Sequence, residues 1–131
     1  MSLNNTIRIA AFWGFIFIII SVSLLSLLPR PLPNLPDKPG LDKILHFIAY
    51  TAVGFTLHLY FHMRPRGRKG GVNVLWLVLL FCIIYGGAIE ILQGYTGRSP
   101  EWFDLLADGA GGLFGAFLSS LLLKLLPEHH E

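Results

Sequence analysis

The sequence predicts an all-α, polytopic membrane protein built as a four-transmembrane-helix bundle. Hydrophobic residues make up 53% of the chain and charged residues 14%, whereas soluble domains carry about 25% charged residues. A water-soluble chain of 131 residues could not bury this much apolar surface. The apolar residues also form four runs, each long enough to cross a hydrocarbon layer about 30 Å thick.

The four runs indicate one domain that covers residues 1–131 and contains four spans. The first run is longer than the roughly 7–15 residues of a signal-peptide core, and no clear cleavage site follows it, so we interpret it as a retained helix. The predicted spans cover about residues 7–28, 43–63, 74–95 and 101–126.

The connections between the spans carry clear helix-breaking and helix-starting signals. Five prolines between residues 29 and 40 exclude a helix and favour an extended connector between the first two spans. Ser99, Pro100 and Glu101 form a typical helix start, with a capping hydroxyl, a proline and a first-turn acid. We therefore place the beginning of the fourth span here.

Basic residues predict the orientation, because cytoplasmic loops are enriched in Lys and Arg. Six basic residues fall on one side of the predicted bundle, namely Arg8, Arg64, Arg66, Arg68, Lys69 and Lys124. The other side holds four, which are interleaved with acidic residues: Arg30, Lys38, Lys43 and Arg98. We expect a multi-pass protein of the inner (cytoplasmic) membrane with both termini in the cytoplasm. The net charge of +2 gives no reason to expect nucleic-acid binding.

Ionisable groups recur at one depth of the predicted bundle, near its outer face. In the second span Asp42, His46 and Tyr50 repeat every four residues and share one helix face. Charges in lipid are costly and usually face the bundle interior or water, so we expect a common polar site. Its candidate catalytic residues are His46, Glu90 and Asp108. Its candidate ligand-binding residues are Asp42, Lys43, Tyr50, Gln93, Arg98 and Asp104.

Several of these residues also have purely structural interpretations. Asp42 could cap the second helix, and Asp104 could be a solvated first-turn acid. Glu90 lies well inside an apolar run, where it could form a buried pair with Arg98 or His46. Small residues on span four, from Gly111 to Ser120, favour close helix packing within the bundle and leave homo-oligomerisation through the same face as an alternative.

Two segments resemble the signatures of the VanZ-like family. Residues 42–50 (Asp-Lys-Ile-Leu-His-Phe-Ile-Ala-Tyr) resemble the first, and residues 90–93 (Glu-Ile-Leu-Gln), Arg98 and residues 104–112 resemble the second. Asp108 stands where Asn is often expected. The resemblance covers residues 42–123 and implies a bacterial membrane protein. The family is named after a member linked to resistance against teicoplanin, a lipid-tailed glycopeptide that acts outside the membrane.

These observations favour a protein that binds or modifies an envelope lipid, a lipid-linked precursor or a lipoglycopeptide. Lys43 and Arg98 could hold an anionic headgroup, and His46 with Glu90 or Asp108 could perform acid–base chemistry. No standard metal motif occurs, so we assign no metal ligands and no cofactor, although one imidazole and several carboxylates could bind a divalent metal. The alternative is a structural or assembly protein without a catalytic site.

The predicted orientation can be tested with two reporters. A fluorescent protein fused after Glu131 should fluoresce, because that end is expected in the cytoplasm. Alkaline phosphatase inserted between Pro33 and Pro36 should be active, because that connector is expected outside. Exchanging the two reporters provides the control and should abolish both signals. A phosphatase that is active only after Glu131 would reverse the orientation.

Overall fold

The computed structural model describes residues 3–28, 40–63, 73–96 and 101–125 of the chain. It contains four helices, α1 (Leu3–Ser26), α2 (Leu41–His62), α3 (Val74–Tyr95) and α4 (Trp102–Leu125), and no strand among the described residues. All four helices are long and apolar enough to cross a membrane. The predicted all-α, four-helix membrane architecture is therefore confirmed, and the chain is a multi-pass membrane protein.

The helix ends follow the local signals in the sequence, with some differences from the predicted spans. α1 begins at Leu3, upstream of predicted residue 7, while α3 has the residue range of the third predicted span. The Asn73 side chain caps α3 by accepting a hydrogen bond from the Leu75 amide at 3.0 Å. Gly40, at φ 92°, occupies the cap position of α2, so Asp42 lies in the first turn and is not the cap. The capping residues Ser99 and Pro100 lie outside the described residues.

Consecutive helices run in opposite directions, and α2 packs against each of the other three. α1 is peripheral, and Ala11 is its only buried residue among those described. It is tied to α3 by a hydrogen bond from Tyr85 to the Ile19 carbonyl at 3.0 Å, and Ser23 lies 2.6 Å from the same hydroxyl. The start of α1 and the end of α4 therefore lie at the same end of the bundle.

The closest helix contact joins α2 and α4, and it depends on glycine. A Cβ at Gly115 would overlap the Thr51 carbonyl of α2, and one at Gly111 would lie 2.5 Å from the Phe47 carbonyl. On the opposing surface, a Cβ at Gly54 would overlap the Gly112 backbone. The small residues of α4 are thus used for packing inside the chain, where they allow two backbones to touch.

An apolar core fills the middle of the bundle beside this contact. It consists of Tyr50, Val53, Leu57, Val78, Cys82 and Ala116. Many large apolar side chains point outward instead, including Phe17, Leu24 and Ile84. Such exposure would be unfavourable in water and suits a surface whose solvent is lipid.

Candidate functional site

A buried carboxylate and an imidazole join α4 to α2 near the beginning of both helices. His46 Nδ1 donates a hydrogen bond to Asp108 Oδ1 at 2.8 Å. The Asp108 side chain is 0% exposed and that of His46 is 9% exposed. A charged hydrogen bond in such a place is strong because the surroundings have a low dielectric constant. The bond also fixes the ring orientation of His46, because Nδ1 is committed to donating a proton.

Asp108 fits into the bundle because α3 carries a glycine opposite it. A Cβ at Gly86 would overlap Asp108 Oδ2. Asp108 Oδ2 itself has no hydrogen-bond partner among the described residues, and neither does the hydroxyl of Tyr50. Tyr50 lies one turn after His46, and the two rings are parallel with centroids 6.3 Å apart. Asp108 therefore reaches between α2 and α3 with one oxygen bonded and the other available.

Glu90 and Gln93, both on α3, make different contacts. Glu90 Oε2 accepts a hydrogen bond from the Glu101 amide at 3.1 Å, which brings Glu90 to the start of α4. Its second oxygen, Oε1, is buried and has no hydrogen-bond partner within the described part of the chain. Gln93 instead donates to the Ser26 carbonyl of α1 at 3.2 Å. Gln93 therefore ties α3 to the end of α1.

Lys43 is held by Glu101, which directly precedes α4, and by Asp104 in the first turn of α4. Its Nζ donates to Glu101 Oε2 at 2.5 Å and lies 3.6 Å from Asp104 Oδ1. Lys43 and Glu101 are partly exposed, so this pair adds little stability. Asp104, in contrast, is buried, with only 5% of its side chain accessible. The charge of Lys43 is thus already balanced within the protein.

Asp42 and Asp104 complete the group around His46. One ligand-type atom from each of Asp42, His46 and Asp104 can be chosen so that all three lie within 4.8 Å of one another. Two carboxylates and one imidazole at this spacing form a donor set suited to a divalent cation.

The cluster at this end contains more hydrogen-bond acceptors than the described chain satisfies. We call it the polar cluster; it comprises Asp42, Lys43, His46, Tyr50, Glu90, Glu101, Asp104 and Asp108. Five of these residues are acidic, and Lys43 is the only Lys or Arg of this end among the described residues. Four buried polar atoms lack a hydrogen-bond partner there: Tyr50 Oη, Glu90 Oε1, Asp104 Oδ1 and Asp108 Oδ2. Buried polar groups are normally paired, so such a concentration needs an explanation.

The structure thus brings most of the candidate site residues together and adds two others. Arg98, a candidate from the sequence, lies outside the described residues. The sequence predicts Glu101 as a first-turn acid, whereas in the structure it precedes α4 and pairs with Lys43. Its spacing of one turn from Asp104 is the signal that could have placed it opposite Lys43. Gly86 lies one turn before Glu90 on α3, and its contact with Asp108 crosses to α4. A crossing of this kind has no signal in the sequence of either helix.

A separate polar contact lies nearer the other end of α2. His58 Nδ1 is hydrogen-bonded to Ser119 Oγ at 3.0 Å, and its Nε2 lies 3.5 Å from Ser120 Oγ. His58 is three turns along α2 from His46, or about 18 Å. Both its nitrogens have protein partners, so it provides a buried histidine for comparison.

Comparison with known proteins gives one result that bears on this geometry. A family model described as VanZ/LLP1 matches residues 2–123. The chain belongs to the VanZ/LLP1 family. The match includes α1 as well as the two signature segments, and it therefore spans the four-helix bundle almost completely. No curated protein and no solved structure matches the chain.

The space that Gly86 leaves for Asp108 can be tested against its neighbour in the sequence. Gly86→Ala should lower the free energy of unfolding by about 1–3 kcal/mol, because the added methyl group displaces a confined carboxylate. Gly87→Ala is the matched control, since nothing lies within 4 Å of its Cβ position. Detergent-induced unfolding of the two variants measures the difference.

A second substitution distinguishes this contact from a general effect of alanine. The double variant Gly86→Ala with Asp108→Ala should lose less free energy of unfolding than the two single variants lose together, because the overlapping carboxylate is gone. Equal stability of Gly86→Ala and Gly87→Ala would show that Asp108 does not occupy this space.

Proposed function

We propose that this protein lies in the bacterial inner membrane, with its polar cluster at the outer face, and binds or modifies an envelope lipid or lipid-linked glycan. The observation that carries the proposal is the set of four buried polar atoms without partners in the described chain. A bound headgroup would supply those partners and offset the cost of burying the acceptors.

The distribution of basic residues supports this orientation. The sequence that connects α2 to α3 contains Arg64, Arg66, Arg68 and Lys69, and it joins the helices at the end away from the polar cluster. Arg8 of α1 and Lys124 of α4 lie toward that same end. Under the positive-inside rule this end is cytoplasmic, so the polar cluster faces outward.

The surroundings of the polar cluster suit a ligand with an apolar tail. Tyr95 and Trp102, at the ends of α3 and α4 that border the cluster, are 86% and 83% exposed. Amphipathic aromatic side chains of this kind favour the membrane–water boundary. Ile44 and Ile48 of α2 and Ile91 of α3 present exposed apolar surface near the same end of the bundle. A lipid can therefore place its headgroup at the cluster while its tail remains in the bilayer.

The charges of the cluster favour a headgroup rich in hydrogen-bond donors. Of the four atoms without partners, three are carboxylate oxygens. Lys43, which the sequence suggested for an anionic headgroup, is occupied by Glu101 and Asp104. Sugar hydroxyls, amides or an ammonium group would complement these acceptors better than a phosphate would.

The His46–Asp108 pair extends the proposal from binding to modification. A carboxylate that orients an imidazole is the arrangement used in general acid–base catalysis, where the other ring nitrogen exchanges a proton with the substrate. The family name adds an expected phenotype, altered sensitivity to teicoplanin, since a lipid-tailed glycopeptide acts on the side that we assign to the cluster.

A structural role is the competing function, and specific contacts favour it. The His46–Asp108 pair connects α2 to α4, and the Lys43–Glu101 pair connects α2 to the residue before α4. Both pairs could serve only to hold the bundle together. The structural role and the binding role predict different effects of a substitution that leaves the chain folded. A structural cluster tolerates a neutral replacement of the same shape once the chain is folded, whereas a binding site does not.

Lipid retention measured by native mass spectrometry tests the proposal with two matched probes. One probe is a polyprenyl pyrophosphate that carries a disaccharide, and the other is the same polyprenyl pyrophosphate without sugars. Wild-type protein should retain the disaccharide form preferentially. Glu90→Gln should lower that retention about tenfold, because it removes a charged acceptor with little change in shape.

His58→Gln is the control, since it changes a buried polar residue in the other half of α2. Its retention should equal that of the wild type, and all variants are compared at equal monodispersity in detergent. The binding function is contradicted if the wild type retains both probes equally, or if a folded Glu90→Gln variant retains the disaccharide form as well as the wild type does.

A further inference from the structure

Within the polar cluster, three side chains meet that commonly bind metal ions. Asp42 and His46 lie one turn apart on α2, and Asp104 approaches them from α4. Their ligand-type atoms lie within 4.8 Å of one another. Ligand atoms of a tetrahedral site with bonds of about 2.1 Å are about 3.4 Å apart, so small side-chain rotations would close the group around one ion.

A second observation points to a cation at this place. Asp104 is 3% exposed, and its Oδ1 has no hydrogen bond among the described residues. A buried carboxylate oxygen of this kind is costly unless a cation or a donor approaches it. Lys43 Nζ stays 3.6 Å away and donates to Glu101 instead. This oxygen therefore has a cation nearby but no hydrogen-bond donor among the described residues.

Asp108 supplies the support that a metal-binding histidine usually has. Such a histidine donates its other ring N–H to a carboxylate or carbonyl, which fixes the ring and raises its basicity. His46 Nδ1 makes this bond to the fully buried Asp108, at 2.8 Å. The neutral ring then carries its lone pair on Nε2, the form in which imidazole binds a metal.

We propose that Asp42, His46 and Asp104 bind one divalent metal ion, with Asp108 as the residue that orients His46. One imidazole and two carboxylates suit an ion such as Zn²⁺ or Mn²⁺ better than a soft, thiolate-binding metal. Three protein ligands leave a coordination position open. The protein should bind this ion in the absence of lipid, although an oxygen atom of a lipid headgroup could occupy the open coordination position.

The position of Lys43 gives this site a distinctive response to mutation. Its ammonium group lies close to Asp104 Oδ1 and repels a cation bound there. Replacing Lys43 should therefore tighten metal binding, whereas a loss of bundle integrity would weaken it. The sign of the effect separates a metal site from a general structural role.

Metal binding to the full-length protein in detergent tests the proposal, with Mn²⁺ followed by electron paramagnetic resonance and Zn²⁺ by competition. Wild type should bind one Mn²⁺ per chain, and Zn²⁺ should displace it. His46→Gln and Asp104→Asn should each weaken binding about 100-fold or more, and Asp108→Asn about tenfold, as expected for an orienting residue. Lys43→Gln should bind several-fold more tightly.

The control is His58→Gln. It removes a buried imidazole away from the trio and should still bind one ion with an affinity within a few-fold of the wild type. Less than one ion per wild-type chain would overturn the proposal regardless of any variant. Unchanged affinity in a folded His46→Gln or Asp104→Asn variant would overturn it as well, and so would weaker binding by Lys43→Gln. Retention of the disaccharide lipid by metal-depleted protein would leave the lipid proposal intact, so failure of the two proposals can be distinguished.

Discussion

The direct backbone contact between α2 and α4 is the constraint on which the rest of the structure depends. Gly54 on α2 and Gly111 and Gly115 on α4 lie where a side chain would overlap the opposite helix. Because the helices touch, short side chains can bridge them. An aspartate on α4 reaches an imidazole on α2 at 2.8 Å, and a serine reaches His58 farther along. A wider separation would require longer side chains or water at both places.

The contact also explains why one end of the bundle can hold so many ionisable groups. All the acidic residues of the described chain lie at the end where α2 and α4 begin. Burial there is offset in part by the His46–Asp108 bond and by the Glu101 amide that binds Glu90. Most of the buried atoms that these contacts leave without a partner are hydrogen-bond acceptors. We propose a donor-rich headgroup and a metal ion because either would meet this electrostatic demand.

The sequence predicted the four-helix membrane fold well because long apolar runs constrain it strongly. His46, Glu90 and Asp108 are each costly in lipid, so the sequence also predicts that they share one depth. Their hydrogen-bond partners could not be predicted, because the depth of a residue along its helix does not say which neighbouring helix it faces. Gln93 shows the difference, since it shares the depth of the cluster and yet bonds to α1. Gly86 likewise acquires its role only when α4 is placed against α3.

The most direct test of this account is the coupling between His46 and Asp108, measured with and without the close helix contact. A double-mutant cycle of His46→Gln and Asp108→Asn on the free energy of unfolding should give a coupling of about 1–3 kcal/mol in the wild-type background. In a folded Gly111→Ala background the coupling should fall close to zero, because the added methyl group meets the Phe47 carbonyl and separates the helices. Gly94→Ala, at a position with nothing within 4 Å, should leave the coupling unchanged. An undiminished coupling in the Gly111→Ala protein would contradict the claim that the glycine contact creates the site.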